Sequence, residues 1–575
     1  MNNEQTSDSV THMPALSAEL ASPRLTDDMI RRVRDYGTLV SVPKDSILFT
    51  LGEKEVDMFV ILQGSIAIYA FDECEQWTNT VHLGGRQFSG ELDLFNSQCT
   101  LVQARTSEDS VLIRVSRPQL RRLMRAEGDI ANLVMQAMIW RRRRLLADVS
   151  TAMIVLAKSG SAETFQLQQF LTQNGYPHRM QEATVEEVER LRGAAPKQVQ
   201  EHLLPAVKLR DGRILYCPSN EELADELGIT QLPNAESTFD VTIVGAGPSG
   251  LAAAVFAASE GLSTLIIEAV APGGQAGTSS RIENYLGFPS GITGQDLARC
   301  AQMQAEKFGA RLALSREAIR IEEVDRLLKI TLKGGHSVYS RTVVIATGAK
   351  YRKLELPNYV QHENQGVYYA ATAMEAAFCR NVEVAVVGGG NSAGQAATFL
   401  AGVAAHVHLI VRGASLSNTM SEYLISRIEK SERITIHRHS EITELSGNTM
   451  LDSVTWVNRL TGVEETRPIH YLFAMIGTEP NTGWLYGTIL LDRKGFIITG
   501  TSEAFEPSRY ATTLRGVFAI GDVRSHSVKR VASAVGEGST VISDVHTYLA
   551  EGFTDPRRSQ DTEVWSTSMG ELVGA

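Results

Sequence analysis

Val241-Thr242-Ile243-Val244-Gly245-Ala246-Gly247-Pro248-Ser249-Gly250 carries an apolar, β-rich run directly into a glycine turn, and a helix rich in small residues follows. Each glycine of such a turn has its own task. The first makes the tight bend, the second lets a pyrophosphate approach the backbone, and the third lets helix pack on strand. The helix N-terminus then presents unpaired N–H groups to phosphate. A second strand, Thr264-Leu265-Ile266-Ile267, ends in Glu268, placed to accept from a ribose hydroxyl. Strand, turn, helix and terminal acid together point to a dinucleotide site.

The pattern recurs downstream. Val382 to Val387 leads into Gly388-Gly389-Gly390-Asn391-Ser392-Ala393, and the strand after the next helix, Val407 to Val411, ends in Arg412. An arginine in place of the acid suits a 2′-phosphate, so NADP is expected here over NAD. From 239 to about 550 the chain alternates strand, glycine turn and helix twice over, the signature of parallel, doubly wound sheets. Two dinucleotide sites in one chain imply electron transfer between two cofactors.

The flanks narrow the class. A length of 575 residues suggests three to four domains at about 150 residues each. The net charge of −11 disfavours a nucleic-acid protein, which needs a basic face. No apolar run approaches the ~18 residues of a membrane span, and the polar start Met1-Asn2-Asn3-Glu4-Gln5 lacks the regions of a secretory signal. Five cysteines without CxxC spacing exclude a disulfide scaffold and a zinc ribbon, and no metal site is expected. A soluble, cytoplasmic, multidomain protein is the expectation.

Upstream of 239, residues 1–23 read as a disordered tail. Residues 24–149 contain short strands with glycine turns, suggesting a β jelly roll or small barrel, followed by a helical stretch from Gln119 to Val149. Residues 150–230 read as a small α/β unit. It has a strand at Ala152–Ala157, a hairpin at 206–216 and a helix Asn220–Leu227 closed by Gly228. Gln231 to Thr238 reads as a linker, and 553–575 as a loose tail. The run Arg141-Arg142-Arg143-Arg144 lies on a helix, where its charges fan around the axis, so a solvated or interdomain face is expected.

Gly245 to Gly250, Gly273-Gly274-Gln275, Glu283-Asn284-Tyr285, Ala346-Thr347-Gly348, the second fingerprint and Gly521-Asp522 together resemble the thioredoxin reductase-type flavoproteins. The resemblance implies two nested Rossmann-type domains: an FAD-binding one at 239–355 and 481–552, and an NADPH-binding one inserted at 356–480. It implies Asn284 near the isoalloxazine, Asp522 on the ribityl-phosphate region, and Arg530-Val531 opening a helix toward the flavin N1/O2 edge. It also implies a homodimer.

One part of the family pattern is missing. Thioredoxin reductases carry a Cys-Ala-Thr-Cys pair where this chain reads Ala370-Ala371-Thr372-Ala373, and Met374 stands where the family has an acid. Alanine forms no thiolate and exchanges no disulfide. Cys379, six residues on, reads as a lone core thiol. Residues 150–230 resemble a thioredoxin/glutaredoxin fold, with Leu204-Pro205-Ala206-Val207 like its cis-proline segment. The redox turn there is Gly160-Ser161-Ala162-Glu163-Thr164, again without cysteine. The N-terminal unit resembles cyclic-nucleotide-binding domains through Gly52, Gly64, Gly84-Gly85 and Gly90-Glu91-Leu92. The phosphate-binding arginine of that family is replaced within Gln98 to Val102, Thr100 or a neighbour taking its place, and Arg105 lies on the next strand.

The expected function is therefore an FAD-dependent NADPH oxidoreductase that passes electrons on without an internal dithiol. Oxygen, a quinone, a small carrier or a disulfide substrate are its candidate acceptors, and a nucleotide or other small ligand its candidate N-terminal effector. The alternative is a redox or nucleotide sensor with little turnover. No catalytic residue is assigned: His526, beside Asp522, suggests acid–base work and Trp565 a flavin cap, but no motif places either one.

Overall fold

The computed structural model describes residues 20–550 except 72–76, 92–93, 96–98, 148–152, 159–160, 201, 210–211, 235–236, 449 and 501–507. Residues 1–19 and 551–575, with Trp565, and Gly160 lie outside the described residues, but the end of the expected disordered tail is ordered: Ala21 is buried, and the carbonyls of Ala21 and Ser22 accept from Arg141 and Gln87.

The strand Thr238–Val244 is buried on both faces after its first residue, as the near-continuous apolar run requires of a central parallel strand. Thr264–Glu268 and Ser337–Ile345 flank it in parallel, and Arg311–Leu314 pairs beyond Thr264–Glu268. Leu327–Leu332 and Ala318–Val324 extend the other side antiparallel. Alternating residues divide between two apolar clusters. Val241, Ile243, Ile266 and Val344 face one side, and Val244, Leu265, Ile267, Val343 and Ile345 the other. The helix Pro248–Ser259 covers the first face, with the helix Val531–Ala550 packed on it. Their approach is close: a Cβ on Gly538 would lie 2.3 Å from the Ser249 carbonyl oxygen.

After Ile345 the chain leaves this sheet through Ala349–Tyr351 and comes back through Thr478–Pro480. Those two short strands pair antiparallel and form a ribbon between the units. Val517–Ala519 then completes the first sheet against Val343–Ile345. Between them lies a five-stranded, wholly parallel sheet in the order Val367–Tyr368, Leu472–Ala474, Glu383–Val387, His406–Val411, Ile434–Arg438. A three-stranded antiparallel sheet, 440–467, accompanies it.

The N-terminal unit holds two antiparallel sheets around one apolar core. One orders Thr38–Val42, Ser110–Val115 and Met58–Gln63; the other orders Ile47–Phe49, Gln103–Thr106, Ile66–Phe71 and Trp77–Leu83. Two expectations need correction here. The helical stretch is two helices, Arg117–Ala126 and Gly128–Ala147. Glu127 breaks it at φ −113°, ψ 81°, its carboxylate held by Arg32 and Tyr36. The arginine run is not simply a solvated or interdomain face. Arg141 donates to the carbonyls of Ala21 (2.8 Å), Phe88 (2.9 Å) and Gly90 (2.6 Å), and burial brings its pKa down to about 10. Arg142 is buried and lies 2.8 Å from Glu91. Only Arg143 and Arg144 are exposed. The fan of directions was right, but two of its four directions point inward, where carbonyls and a carboxylate wait.

The middle unit is a four-stranded sheet in the order Ile214–Tyr216, Ala206–Lys208, Met153–Ala157, His178–Glu182; only the last pair is parallel. The Leu204–Pro205 peptide is cis. Its core residues Val155, Leu167, Phe170, Leu171 and Val207 belong to the same apolar cluster as Val241 and Ile243. Buried Arg316 ties it further, to Asp225 at 2.6 Å and Glu221 at 3.3 Å. The 231–238 linker is not slack at its start: the Gln231 N–H donates to the Leu312 carbonyl at 2.9 Å.

Candidate functional site

Gly245 adopts φ +108°, and a Cβ there would stand 2.3 Å from the Ala346 carbonyl oxygen. At Gly250 a Cβ would lie 1.9 Å from the Gly245 oxygen, so the third glycine is required by packing. Gly247 differs. It caps the helix Pro248–Ser259 at φ −70°, and a Cβ there would meet nothing within 4 Å. The first and third glycines serve the fold, whereas the second opens a space above the helix N-terminus. A pyrophosphate needs such an open approach to the backbone.

Gly273, Gly274, Glu268 and Gly521 lie against this turn, and the other predicted residues are placed as follows. Gly273 donates to the Ala246 carbonyl at 2.7 Å, and Gly274, at φ +51°, packs against Gly247. Glu268 accepts from the N–H groups of Ala246 (2.7 Å) and Val270 (2.9 Å), which orient it at the strand end. Burial pushes its carboxyl above the usual range against the pull of those N–H groups. Gly521, at φ +73°, stands beside Ser249, and its N–H donates to Glu537 at 2.7 Å. Asp522 follows, its carboxyl also pushed up by burial, and the helix opening at Val531 begins just after exposed Arg530. Thr347 donates to the Asn481 carbonyl at 3.0 Å, and Gly348, at φ +61°, accepts from the Asn481 N–H. Asn284 lies exposed on the loop after Ile282.

The second fingerprint repeats the logic. Gly388 takes φ +141°, with a would-be Cβ 2.2 Å from the Met475 oxygen. Gly390 caps the helix Asn391–Leu400. The nearest atom to a Cβ on Gly390 would be the Thr419 oxygen at 3.9 Å. Asn391 accepts from the Ser421 N–H at 2.7 Å, pinning the loop that follows exposed Arg412. Ala393, in the third glycine's place, is fully buried.

A cavity of about 70 Å³ lies between the two units. Gln275, Thr278, Ser279 and Ser280 line it from the first unit, and Tyr369, Ala370, Ala371, Ser392, Gln395 and Met475 from the second. Tyr351, on the connecting ribbon, completes the wall. Sequence reading identified Gln275, Ala370 and Ser392 but missed Thr278, Tyr351 and Tyr369. The two tyrosines stand 18 positions apart in the chain, and only the pairing of the ribbon brings their rings to 5.8 Å. No local spacing signals such a meeting.

Where the dithiol is missing, no described cysteine lines the cavity. Ala370 is buried in the cavity wall, and Ala373 starts the helix Ala373–Phe378. Cys379 is fully buried, and burial pushes its thiol up to about 12. Among the described residues no group of three or more His, Cys, Asp or Glu side chains is placed to hold a metal ion, and no helix is long and apolar enough to cross a membrane.

Two strand–glycine turn–helix units joined by one ribbon are the architecture of a two-cofactor oxidoreductase of the flavoprotein class. The chain belongs to the pyridine nucleotide-disulphide oxidoreductase family, whose model matches residues 239–538. A cyclic nucleotide-binding domain model matches residues 39–127. The thioredoxin reductase of Mycolicibacterium smegmatis is 32% identical over 325 residues, 56% of this chain and 99% of that protein. The NADH dehydrogenase of Bacillus subtilis is 31% identical over 311 residues, 54% of this chain and 58% of that protein. The Lactococcus lactis thioredoxin reductase, in its FR conformation, superposes with a TM-score of 0.51 at 30% identity, covering 55% of this chain and 100% of that one. Thioredoxin reductases use FAD and NADPH.

Proposed function

We propose that this chain is an NADPH-dependent FAD oxidoreductase that hands electrons to an external acceptor without an internal dithiol. One observation carries the reading: both glycine turns leave room at a helix N-terminus, and the cavity between the two units has Ala370 in its wall where the family's cysteine belongs. The residues fit the cofactors. Gly245, Gly247, Pro248, Ser249, Gly250, Gly274, Gln275 and Glu268 would hold the adenine dinucleotide half of FAD. Asn284, Thr347, Gly348, Gly521, Asp522, Arg530 and Val531 would serve its flavin half. Gly388, Gly390, Asn391, Ser392 and Arg412 would hold NADPH. When bound, NADPH supplies a hydride and FAD accepts it and releases electrons onward. The nested domain limits of 239–355 with 481–552, and 356–480, are supported by the ribbon at Ala349–Tyr351 and Thr478–Pro480. The purified chain is expected to be yellow and to bleach anaerobically with NADPH; a colourless protein that cannot be loaded with FAD contradicts the proposal.

Arg412 sets the nucleotide preference. A charge-assisted hydrogen bond is worth roughly 1.5–3 kcal/mol net, and each 1.4 kcal/mol is tenfold, so the range is roughly 10- to 100-fold. Arg412 is exposed, which places the value near the lower end. Arg412→Ala is expected to cut kcat/KM for NADPH about tenfold, with NADH little changed. Equal use of both nucleotides by the wild type contradicts the assignment.

The N-terminal unit, a two-sheet barrel of jelly-roll type in this reading, holds a cavity of about 90 Å³. Its described walls are mostly apolar (Phe49, Ile68, Val81, Leu83, Leu101, Val102), with Glu91, Arg141 and Arg144 at the polar end. Arg141 already serves three carbonyls, and the Thr100 hydroxyl donates to the Thr50 carbonyl at 2.7 Å. A cyclic phosphate thus finds a poor receptor. Cyclic AMP at millimolar concentration is expected to leave the melting temperature unchanged, and a rise of several degrees would refute this. A regulatory role for another ligand is supported by one contact. Met303, on the helix Gly294–Phe308 of the first dinucleotide unit, belongs to the N-terminal unit's apolar core.

A further inference from the structure

We propose that the cavity of the N-terminal unit binds a small organic acid, its apolar body among the aliphatic walls and its one anionic head at Arg144. The inference deepens the reading that this cavity serves a ligand other than a cyclic nucleotide, and it rests on that reading.

The consecutive arginines 141–144 have different fates, and only Arg144 is left facing a ligand. Arg141 commits N–H donors to the carbonyls of Ala21, Phe88 and Gly90. Arg142 lies 2.8 Å from Glu91. The Arg143 guanidinium sits over the Trp140 ring, 5.5 Å from its centroid. Arg144 lines the cavity while remaining exposed, and among the described residues it has no hydrogen bond or ion pair. The same end carries an excess of positive charge. Arg141, Arg142 and Arg144 stand with a single described carboxylate, Glu91, which Arg142 already engages. An anionic head at Arg144 offsets that excess, and the planar fork of arginine suits a carboxylate.

The remaining wall calls for an apolar body. Phe49, Ile68, Val81, Leu83, Leu101 and Leu145 surround the space. Leu101 and Leu145 also belong to the apolar cluster that runs through Val155, Val241 and Ala246. That side of the cavity is therefore packed core, formed before a ligand arrives, which lowers the cost of binding. An alkyl or aryl group placed there leaves water at a gain, whereas ribose hydroxyls would lose hydrogen bonds to water without replacement. A pocket of apolar walls with one charged group to fix orientation is the usual design for a small amphipathic ligand.

Octanoate is the probe, with octan-1-ol and octylammonium as the neutral and cationic forms of the same chain. Isothermal titration of the full-length protein is expected to show saturable binding of octanoate. Octanol should bind about tenfold more weakly, the lower end for a charge-assisted hydrogen bond at an exposed arginine, and octylammonium more weakly still. Arg144→Gln, a change at an exposed helix position, is expected to bring octanoate down to the octanol value and to leave octanol unchanged. Val81→Trp fills the cavity with an indole and should abolish binding of both, with circular dichroism showing that the variant has folded. Should Val81→Trp not fold, Arg144→Gln decides alone. No saturable binding of octanoate, equal affinity for octanoate and octanol, a preference that survives Arg144→Gln, or binding that survives in folded Val81→Trp overturns the proposal. Failure of the reading beneath it is separately visible, because cyclic AMP would then bind the wild type in the same titration.

Discussion

Gly247→Val yields a folded protein that no longer holds FAD. The backbone at Gly247 is φ −70°, ψ −179°, extended geometry that a β-branched residue adopts without strain. A Cβ there touches no protein atom, so the fold has no reason to object. The added methyl groups instead fill the space above the helix N-terminus, where the pyrophosphate must come close to backbone. Affinity for FAD should fall by about 100-fold or more, equivalent to at least ~2.8 kcal/mol. Circular dichroism and the melting temperature of the flavin-free protein should match those of flavin-free wild type. Gly250→Ala supplies the contrast, since its Cβ would sit 1.9 Å from the Gly245 oxygen and the strand–helix junction must distort. If Gly247→Val retains flavin, the first cradle is merely a tight turn.

Thioredoxin reduction by NADPH is expected at background level. Passing electrons from flavin to a protein disulfide requires a thiol pair beside the cavity, and Ala370 and Ala373 provide none. The described cysteines are Cys99, Cys217, Cys300 and Cys379. Cys379 comes nearest in sequence, but burial pushes its thiol up to about 12, which keeps it protonated at pH 7. Cys217 is exposed, yet its thiol donates to the Leu204 carbonyl at 2.9 Å, and desolvation and Glu163 raise its pKa. Alkylation with iodoacetamide should therefore leave turnover with non-thiol acceptors unchanged. Strong thioredoxin-dependent NADPH consumption that alkylation abolishes would reveal a relay.

How far the residues announced the structure depends on range. Both glycine turns, Glu268 and Arg412 were legible because a tight turn, a helix start and a strand end are local events with fixed residue requirements. Gly250 and Gly388 had to lack a side chain, and the close carbonyls explain why. The cavity wall was not legible, because Tyr351 and Thr278 come from different elements and are joined only by folding. Arg141 and Arg142 misled for the same reason. On a helix they read as solvated charges, and only the packing of Phe88, Gly90 and Glu91 turns them into internal braces. The helical stretch likewise looked continuous, since the partners that fix Glu127 lie more than ninety positions upstream.

Anaerobic reductive titration counts the redox centres directly. A chain with FAD and a reducible disulfide takes up two two-electron equivalents per flavin, whereas a chain with flavin alone takes up one. Titration with dithionite, followed by thiol counting on the denatured protein, is predicted to bleach the flavin fully with one equivalent and expose no new thiols. Uptake of two equivalents with two new thiols would contradict the central claim that electrons leave this protein without passing through cysteine.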